Sequence, residues 1–130
     1  MREFDKSLEL IAVLRGDNGC PWDKMQTIKT LKEDFLEESG ELVKAIESGD
    51  TENLCEEIGD VIWTLLLMSR IAEEEGLFNI EDVLKRVNKK MIRRHPHVFG
   101  GIKVNSAEEA KKVFLSVKAE EHKMNRISEQ

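Results

Sequence analysis

The sequence predicts an all-α protein, an antiparallel bundle of about four to five helices that dimerises through the bundle. Apolar residues recur with helical spacing along most of the 130 residues, caps and stops separate these segments, and no segment has the alternation of a strand. With 40% apolar and 35% charged residues, the chain is long enough to bury one modest core. We therefore expect a single domain over residues 1–121, followed by a polar tail over residues 122–130.

Caps and stops set the expected order of the helices. A first helix over about residues 3–15 is followed by a loop over residues 17–26. The second and third helices, about 27–48 and 51–75, should form a hairpin, because Gly49 is typical of a helix end and Asp50 or Thr51 of a helix start. A fourth helix should run from Asn79 to His95-Pro96, and a fifth should begin at the capping box from Ser106 to Glu109.

The third predicted helix is apolar around much of its circumference. Its apolar residues are Val61, Ile62, Trp63, Leu65, Leu66, Leu67 and Met68. A helix of this kind needs cover on more than one side, and a chain of this size achieves that most easily with a second copy. A homodimer and a homotetramer both satisfy this requirement.

Two acidic clusters lie on the predicted hairpin, one on each helix. They are Glu37-Glu38-Ser39-Gly40-Glu41 and Glu56-Glu57-Ile58-Gly59-Asp60. At about 100° per residue, Glu38 and Glu57 fall at the edge of the apolar stripe of their own helix. These stripes contain Leu31, Phe35, Leu42 and Ile46 on one helix and Leu54, Val61, Leu65 and Met68 on the other. Counted outward from the turn, Glu41 is level with Glu57 and Glu38 with Asp60, so these four carboxylates should converge.

Four converging carboxylates repel one another at the margin of a core unless some are protonated or a cation binds. A set of oxygen ligands alone favours Mg²⁺, with Mn²⁺ as a substitute, over zinc. The competing interpretation is a solvated acidic face, which is common in a chain with 26 acidic residues. The position of the carboxylates beside the apolar stripe, instead of opposite it, favours the metal site.

Two further segments carry polar chemistry. In the loop from Gly19 to Thr27, Trp22 could stack on a base while Lys24 and Gln26 meet phosphate or base edges; alternatively, Trp22 closes one end of the bundle. The second segment is basic, Lys89-Lys90-Met91-Ile92-Arg93-Arg94-His95-Pro96-His97. The helix dipole accounts for part of this basic charge, and a polyphosphate ligand would account for the rest. Zinc binding by the two histidines and Cys20 is a third, unspecific possibility.

Composition argues against several other classes. A net charge of −6 disfavours a nucleic-acid-binding surface, and the longest apolar run, Val61–Met68, is too short for a membrane span. No signal-peptide pattern is present. Cys20 and Cys55 lack metal-type spacing and indicate reduced thiols, with a disulfide between them as the alternative. We expect a cytoplasmic protein with no nucleic-acid or membrane partner.

At the level of motifs, the chain resembles the MazG nucleoside triphosphate pyrophosphohydrolases of the all-α NTP pyrophosphatase superfamily. The EExxE and ExxD signature of that family is matched by Glu37-Glu38-Ser39-Gly40-Glu41 and Glu57-Ile58-Gly59-Asp60. The GCPWDKxQT block is matched over residues 19–27 and the RRHPHVFG block over residues 93–100. The close resemblance covers about residues 5–101.

The resemblance implies Mg²⁺-dependent cleavage between the α and β phosphates of a nucleoside triphosphate, with a monophosphate and pyrophosphate as products. It implies metal ligation by Glu38, Glu41, Glu57 and Asp60, with Glu37 in the same acidic site. The candidate catalytic residues are thus Glu37, Glu38 and Glu41, and either Glu38 or Glu41 could orient the water. The implied substrate contacts are Trp22, Lys24, Gln26, Lys90, Arg93 and Arg94.

Two departures and three alternatives accompany this resemblance. Phe114 stands where relatives commonly have Trp, which removes an indole N–H donor, and longer members carry two copies of the domain where this chain has one.

A related pyrophosphatase with a narrower substrate, dUTP, dCTP or phosphoribosyl-ATP, is one alternative function. A non-enzymatic metal-binding helical module is another. A di-iron bundle is disfavoured, because Glu41 and Asp60 stand where it needs Glu-x-x-His.

Overall fold

The computed structural model describes residues 2–129 and the side chains of residues 2–125. Seven helices occur in this range: α1 (Arg2–Leu14), α2 (Pro21–Met25), α3 (Leu31–Ser48), α4 (Thr51–Glu74), α5 (Ile80–Arg94), α6 (Pro96–Phe99) and α7 (Ala107–Glu129). No strand occurs among the described residues. The all-α prediction is confirmed.

The chain divides into two compact units after Ile80. In the first unit α3 and α4 form the hairpin, and α1 packs against α4. The core of this unit consists of Ile11, Leu31, Leu66, Leu67 and Ile71, all at most 5% exposed. This core fixes α3 and α4 side by side, and both acidic clusters lie on these two helices.

The turn of the hairpin follows the predicted cap chemistry. Gly49 has a φ of 72°, a left-handed conformation that glycine adopts without strain. The Asp50 carboxylate then accepts hydrogen bonds from the backbone N–H groups of Glu52 and Asn53, at 3.1 and 3.2 Å. Asp50, not Thr51, is therefore the N-cap of α4.

Two short segments differ from the prediction. Residues 21–25, expected within a loop, form α2, because Pro21 at its start provides a helical φ and Lys24 N–H reaches the Cys20 carbonyl at 2.9 Å. The helix expected from residue 27 begins at Leu31, since Thr27 and Thr30 instead exchange side-chain to backbone hydrogen bonds. The segment before α3 is therefore an ordered turn.

Part of the predicted apolar stripe is exposed in the single chain. Leu31 is buried as expected, but Phe35 is 36%, Ile46 60% and Leu65 44% exposed. On α4, Ile58 and Ile62 join Leu65 at helical spacing, and all three are more than two-fifths exposed. Phe35, Ile46 and Leu65 are therefore not covered within the single chain.

The second unit contains α5, α6 and α7, and α6 packs against α7. The predicted capping box is present at the start of α7: Glu109 N–H donates to Ser106 Oγ at 3.1 Å, and the Glu109 carboxylate accepts from Asn105 N–H at 2.7 Å. Helix α7 continues to Glu129, so residues 122–129, expected as a polar tail, are helical. None of the described helices combines the length and the apolar character that a membrane crossing requires.

Candidate metal and polyphosphate site

Three carboxylates of the two acidic clusters meet across the hairpin. Glu38 on α3 and Glu57 and Asp60 on α4 each offer one oxygen, and these oxygens lie within 4.8 Å of one another. Among the described residues, no second group of three His, Cys, Asp or Glu side chains comes this close together. The convergence that the helical geometry predicts is present for these three side chains.

The charged forms of two of these carboxyl groups are disfavoured. Burial raises the pKa of Glu57, and the negative charges of Asp60, Glu38 and Glu41 raise it further. Burial also raises the pKa of Glu38, and the negative charges of Asp60 and Glu37 raise it further. One oxygen of Glu57, Oε2, is buried and has no hydrogen-bond partner among the described residues.

These observations fit a hard divalent cation. A buried carboxylate oxygen without a donor leaves a desolvation penalty that a metal ion would remove. The ligand set consists of oxygens only, as Mg²⁺ and Mn²⁺ prefer. Glu38, Glu57 and Asp60 are thus the side chains that could hold the ion.

The other two predicted acidic residues lie at the margin of this cluster. Glu41 is exposed, and its carboxylate lies 3.5 Å from Lys44 Nζ. An exposed ion pair of this kind is weak, so it leaves Glu41 free to turn toward a metal. Glu37 is also exposed, and its charge raises the pKa of Glu38. Both residues therefore contribute to the electrostatics of the site.

The loop that carries Trp22 presents this side chain to solvent. Trp22 is 66% exposed, so it does not close the end of the first unit. Lys24 Nζ donates to the Asp17 carbonyl at 3.4 Å. Gln26 is fixed locally, because Nε2 donates to the Trp22 carbonyl at 3.1 Å and Oε1 accepts from Thr30 Oγ1 at 2.8 Å.

Arg15 fixes this loop, a role that the sequence analysis missed. Its guanidinium donates to both oxygens of Glu74, from Nε at 2.8 Å and from Nη2 at 3.0 Å. Nη1 donates to the carbonyls of Asp23 and Gln26, the latter at 3.2 Å. The Arg15 side chain is only 8% exposed, and this contact lowers the pKa of Glu74. Arg15 thus ties α2 to the end of α4.

The predicted basic residues lie in the second unit. Lys90, Arg93 and Arg94 line a groove of about 540 Å³ between α5 and α7. Arg94 is buried, and both arginines donate to the Glu121 carboxylate. His95 Nδ1 lies 2.5 Å from the Met91 carbonyl, and its ring contacts Phe114. Glu121, which the sequence analysis left without a role, is the carboxylate that joins α7 to α5.

The two arginines hold the pKa of Glu121 down to about 2 from its ordinary value of 4.5. Because the folded protein keeps this group ionised, the contact stabilises the fold fully above pH 4.5, and this contribution is lost as the pH falls toward 2. We expect Glu121→Gln to flatten the decline of the melting temperature over this range. Melting curves from neutral to acidic pH test this, with the exposed neighbour variant Glu120→Gln retaining the wild-type decline.

The helical hairpin with its facing carboxylates defines an all-α protein with an acidic cluster that could hold a divalent cation. Comparison with known proteins agrees with this class. The MazG nucleotide pyrophosphohydrolase domain matches residues 26–99. The chain belongs to the MazG nucleotide pyrophosphohydrolase family, a family of hydrolases.

Several relatives show how far the similarity extends. The nucleoside triphosphate pyrophosphohydrolase/pyrophosphatase MazG of Thermotoga maritima is 40% identical over 97% of this chain and 49% of its own length. The nucleoside triphosphate pyrophosphohydrolase of Escherichia coli is 36% identical over 93% of this chain and 46% of its own length. An uncharacterized protein of Bacillus subtilis is 51% identical over 78% of this chain and 21% of its own length. The chain thus spans half or less of these relatives.

A solved structure supports the fold. The crystal structure of a MazG-related protein from Thermotoga maritima matches with a TM-score of 0.73 and 35% sequence identity. The match covers 88% of this chain and 98% of that one. The all-α fold is therefore shared with a MazG relative along most of both chains.

Proposed function

We propose that this protein is a Mg²⁺-dependent nucleoside triphosphate pyrophosphohydrolase. It cleaves the α–β phosphoanhydride of NTPs and dNTPs and releases a nucleoside monophosphate and pyrophosphate. The observation that carries this proposal is the cluster of Glu38, Glu57 and Asp60 in a chain of a hydrolase family. Within this cluster, the buried Glu57 Oε2 has no hydrogen-bond donor among the residues that the structure describes. The chain acts in the cytoplasm as a homodimer or homotetramer, and clearance of non-standard nucleotides is a role that this reaction serves.

The acidic side chains have different roles at the reacting phosphate. Glu38, Glu41, Glu57 and Asp60 hold the cation, and Glu37 adds negative charge beside them. The chemistry that Mg²⁺ supplies when bound is neutralisation of phosphate charge and a lowered pKa for a water molecule. Either Glu38 or Glu41 accepts a hydrogen bond from the attacking water and orients it. Raised carboxyl pKa values at Glu38 and Glu57 support a site built to receive a cation.

Basic and aromatic side chains bind the rest of the substrate. Lys90, Arg93 and Arg94 neutralise the triphosphate, which stabilises the pyrophosphate leaving group. Trp22, with its exposed indole, offers a stacking surface for the base. Lys24 and Gln26, on the same ordered loop, provide polar contacts for the nucleotide. The fixed conformation of the loop supports this role, since a preordered surface loses little freedom on binding.

The test is release of pyrophosphate and monophosphate from a panel of NTPs and dNTPs, with and without Mg²⁺. We expect wild-type release that depends on Mg²⁺ and disappears in Glu38→Gln. Glu33→Gln removes the same charge from the exposed face of α3 and should leave the rate unchanged. Release from dUTP or dCTP alone would replace the proposal with a narrower pyrophosphatase. A folded protein that releases nothing from any triphosphate would indicate a metal-binding helical module.

A further inference from the structure

A cavity lies in the first unit, beside its core. It has a volume of about 170 Å³ and is bounded by α1, α4 and the first residue of α5. The lining side chains are Leu8, Ile11, Leu66, Arg70, Glu73 and Ile80. None of them belongs to the two acidic clusters, to the loop that carries Trp22 or to the basic segment of α5. The cavity is therefore separate from the candidate site.

The walls of this cavity are apolar. Ile11 is 1% and Leu66 is 5% exposed, and Leu8 and Ile80 pack against the same core. Such side chains offer no hydrogen bonds to ordered water, and an apolar cavity of about 150 Å³ can hold benzene. The cavity thus has the size and the chemistry to take an apolar group as large as a phenyl ring.

Two side chains of opposite charge complete the lining. Arg70 and Glu73 lie three residues apart on α4, and this spacing makes them neighbours on the helix surface. The Arg70 side chain is 38% exposed and Glu73 is exposed, whereas Ile11 and Leu66 are buried, so the two charges lie at the mouth. Arg70 contacts Glu74 through Nε at 3.4 Å, and its two terminal nitrogens are not taken by this carboxylate.

We propose that this cavity binds a free α-amino acid with an apolar side chain of about the size of phenylalanine. The side chain of the ligand enters the cavity, its carboxylate pairs with Arg70, and its ammonium pairs with Glu73. An α-amino acid carries both charged groups on the carbon that bears its side chain, which matches two opposite charges at the mouth of one apolar cavity. This site does not depend on the proposed hydrolysis of nucleotides.

Calorimetry of the full chain with three ligands tests the site. They are L-phenylalanine, phenethylamine and 3-phenylpropanoate, which share the phenyl ring; the second lacks the carboxylate and the third lacks the ammonium. L-phenylalanine should bind about tenfold more tightly than either of the others, because each of these leaves one charged side chain without a partner. No binding of L-phenylalanine, or an affinity no higher than that of the other two ligands, would overturn the proposal.

A substitution at the mouth assigns the ammonium contact. Glu73→Gln should weaken binding of L-phenylalanine about tenfold and leave that of 3-phenylpropanoate within about twofold, because only L-phenylalanine carries an ammonium group. Glu75→Gln changes an exposed carboxylate outside the lining and should leave both affinities unchanged. Equal losses for the two ligands in Glu73→Gln would contradict the pairing of Glu73 with the ammonium.

A substitution in the wall tests the cavity itself. Leu8→Phe places a ring in the space that the ligand would occupy, so it should abolish binding of all three ligands. A melting curve shows whether this variant is folded. Wild-type affinity for L-phenylalanine in a folded Leu8→Phe protein would overturn the proposal, and if Leu8→Phe does not fold, the two affinities of Glu73→Gln decide.

Discussion

Glu57→Gln is expected to lower pyrophosphate release by roughly 10²- to 10³-fold. The side chain keeps its shape but loses the charge that the buried oxygen Oε2 brings to the site. An amide is a weaker ligand for a hard cation than a carboxylate, so metal binding and turnover should fall together. Initial rates over a range of Mg²⁺ concentrations measure both effects.

Stability separates this loss from unfolding. The charges of Asp60, Glu38 and Glu41 disfavour an ionised Glu57, so removing its charge should maintain or raise the melting temperature in the absence of metal. Glu56→Gln changes the adjacent, exposed carboxylate and should keep turnover within about twofold of the wild type. If the Glu57→Gln protein folds and retains wild-type turnover, Glu57 is not part of the catalytic site.

Arg15→Ala is expected to lower the free energy of unfolding by about 1–3 kcal/mol. The substitution leaves Glu74 without its main partner and frees the carbonyls of Asp23 and Gln26. Since these carbonyls belong to the loop that carries Trp22, the KM for nucleotides should rise more than kcat falls. Chemical denaturation and steady-state kinetics measure the two effects.

Arg70→Ala is the matched control for this prediction. Arg70 also contacts Glu74, at 3.4 Å, but its side chain is 38% exposed and it bonds neither loop carbonyl. An exposed pair within one helix contributes about 0.3–0.5 kcal/mol, so Arg70→Ala should have a small effect on stability and none on KM. Equal destabilisation by the two substitutions would contradict a role for Arg15 in holding the loop.

The parts of the fold that local chemistry determines could be predicted from the sequence. The Gly49-Asp50 turn and the Ser106 capping box depend on residues within one helical turn, and both occur as expected. Helix α2 was missed because five residues are too few for an apolar period to stand out. What covers Phe35 and Leu65 could not be predicted, since a helical stripe shows which residues share a face but not what covers it.

The candidate site also has a part that the sequence could predict and a part that it could not. The approach of Glu38 to Asp60 follows from helix geometry and a short turn, so angular counting along two helices was sufficient. Arg15 and Glu74 are 59 residues apart, and Arg94 and Glu121 are 27 apart. No spacing rule links such pairs, because their contact depends on how whole helices pack. The residues that position the predicted ligands therefore emerged only from the structure.

The exposed stripe of Ile58, Ile62 and Leu65 lies on the helix that also supplies Glu57 and Asp60. If a second copy covers this stripe, as the proposed assembly requires, mass action links the stability of the hairpin to the amount of protein present. Dilution would then separate the copies, expose the stripe and loosen the frame that holds the carboxylates together. The turnover of each chain would become a function of enzyme concentration, and abundance itself would set how active each molecule is.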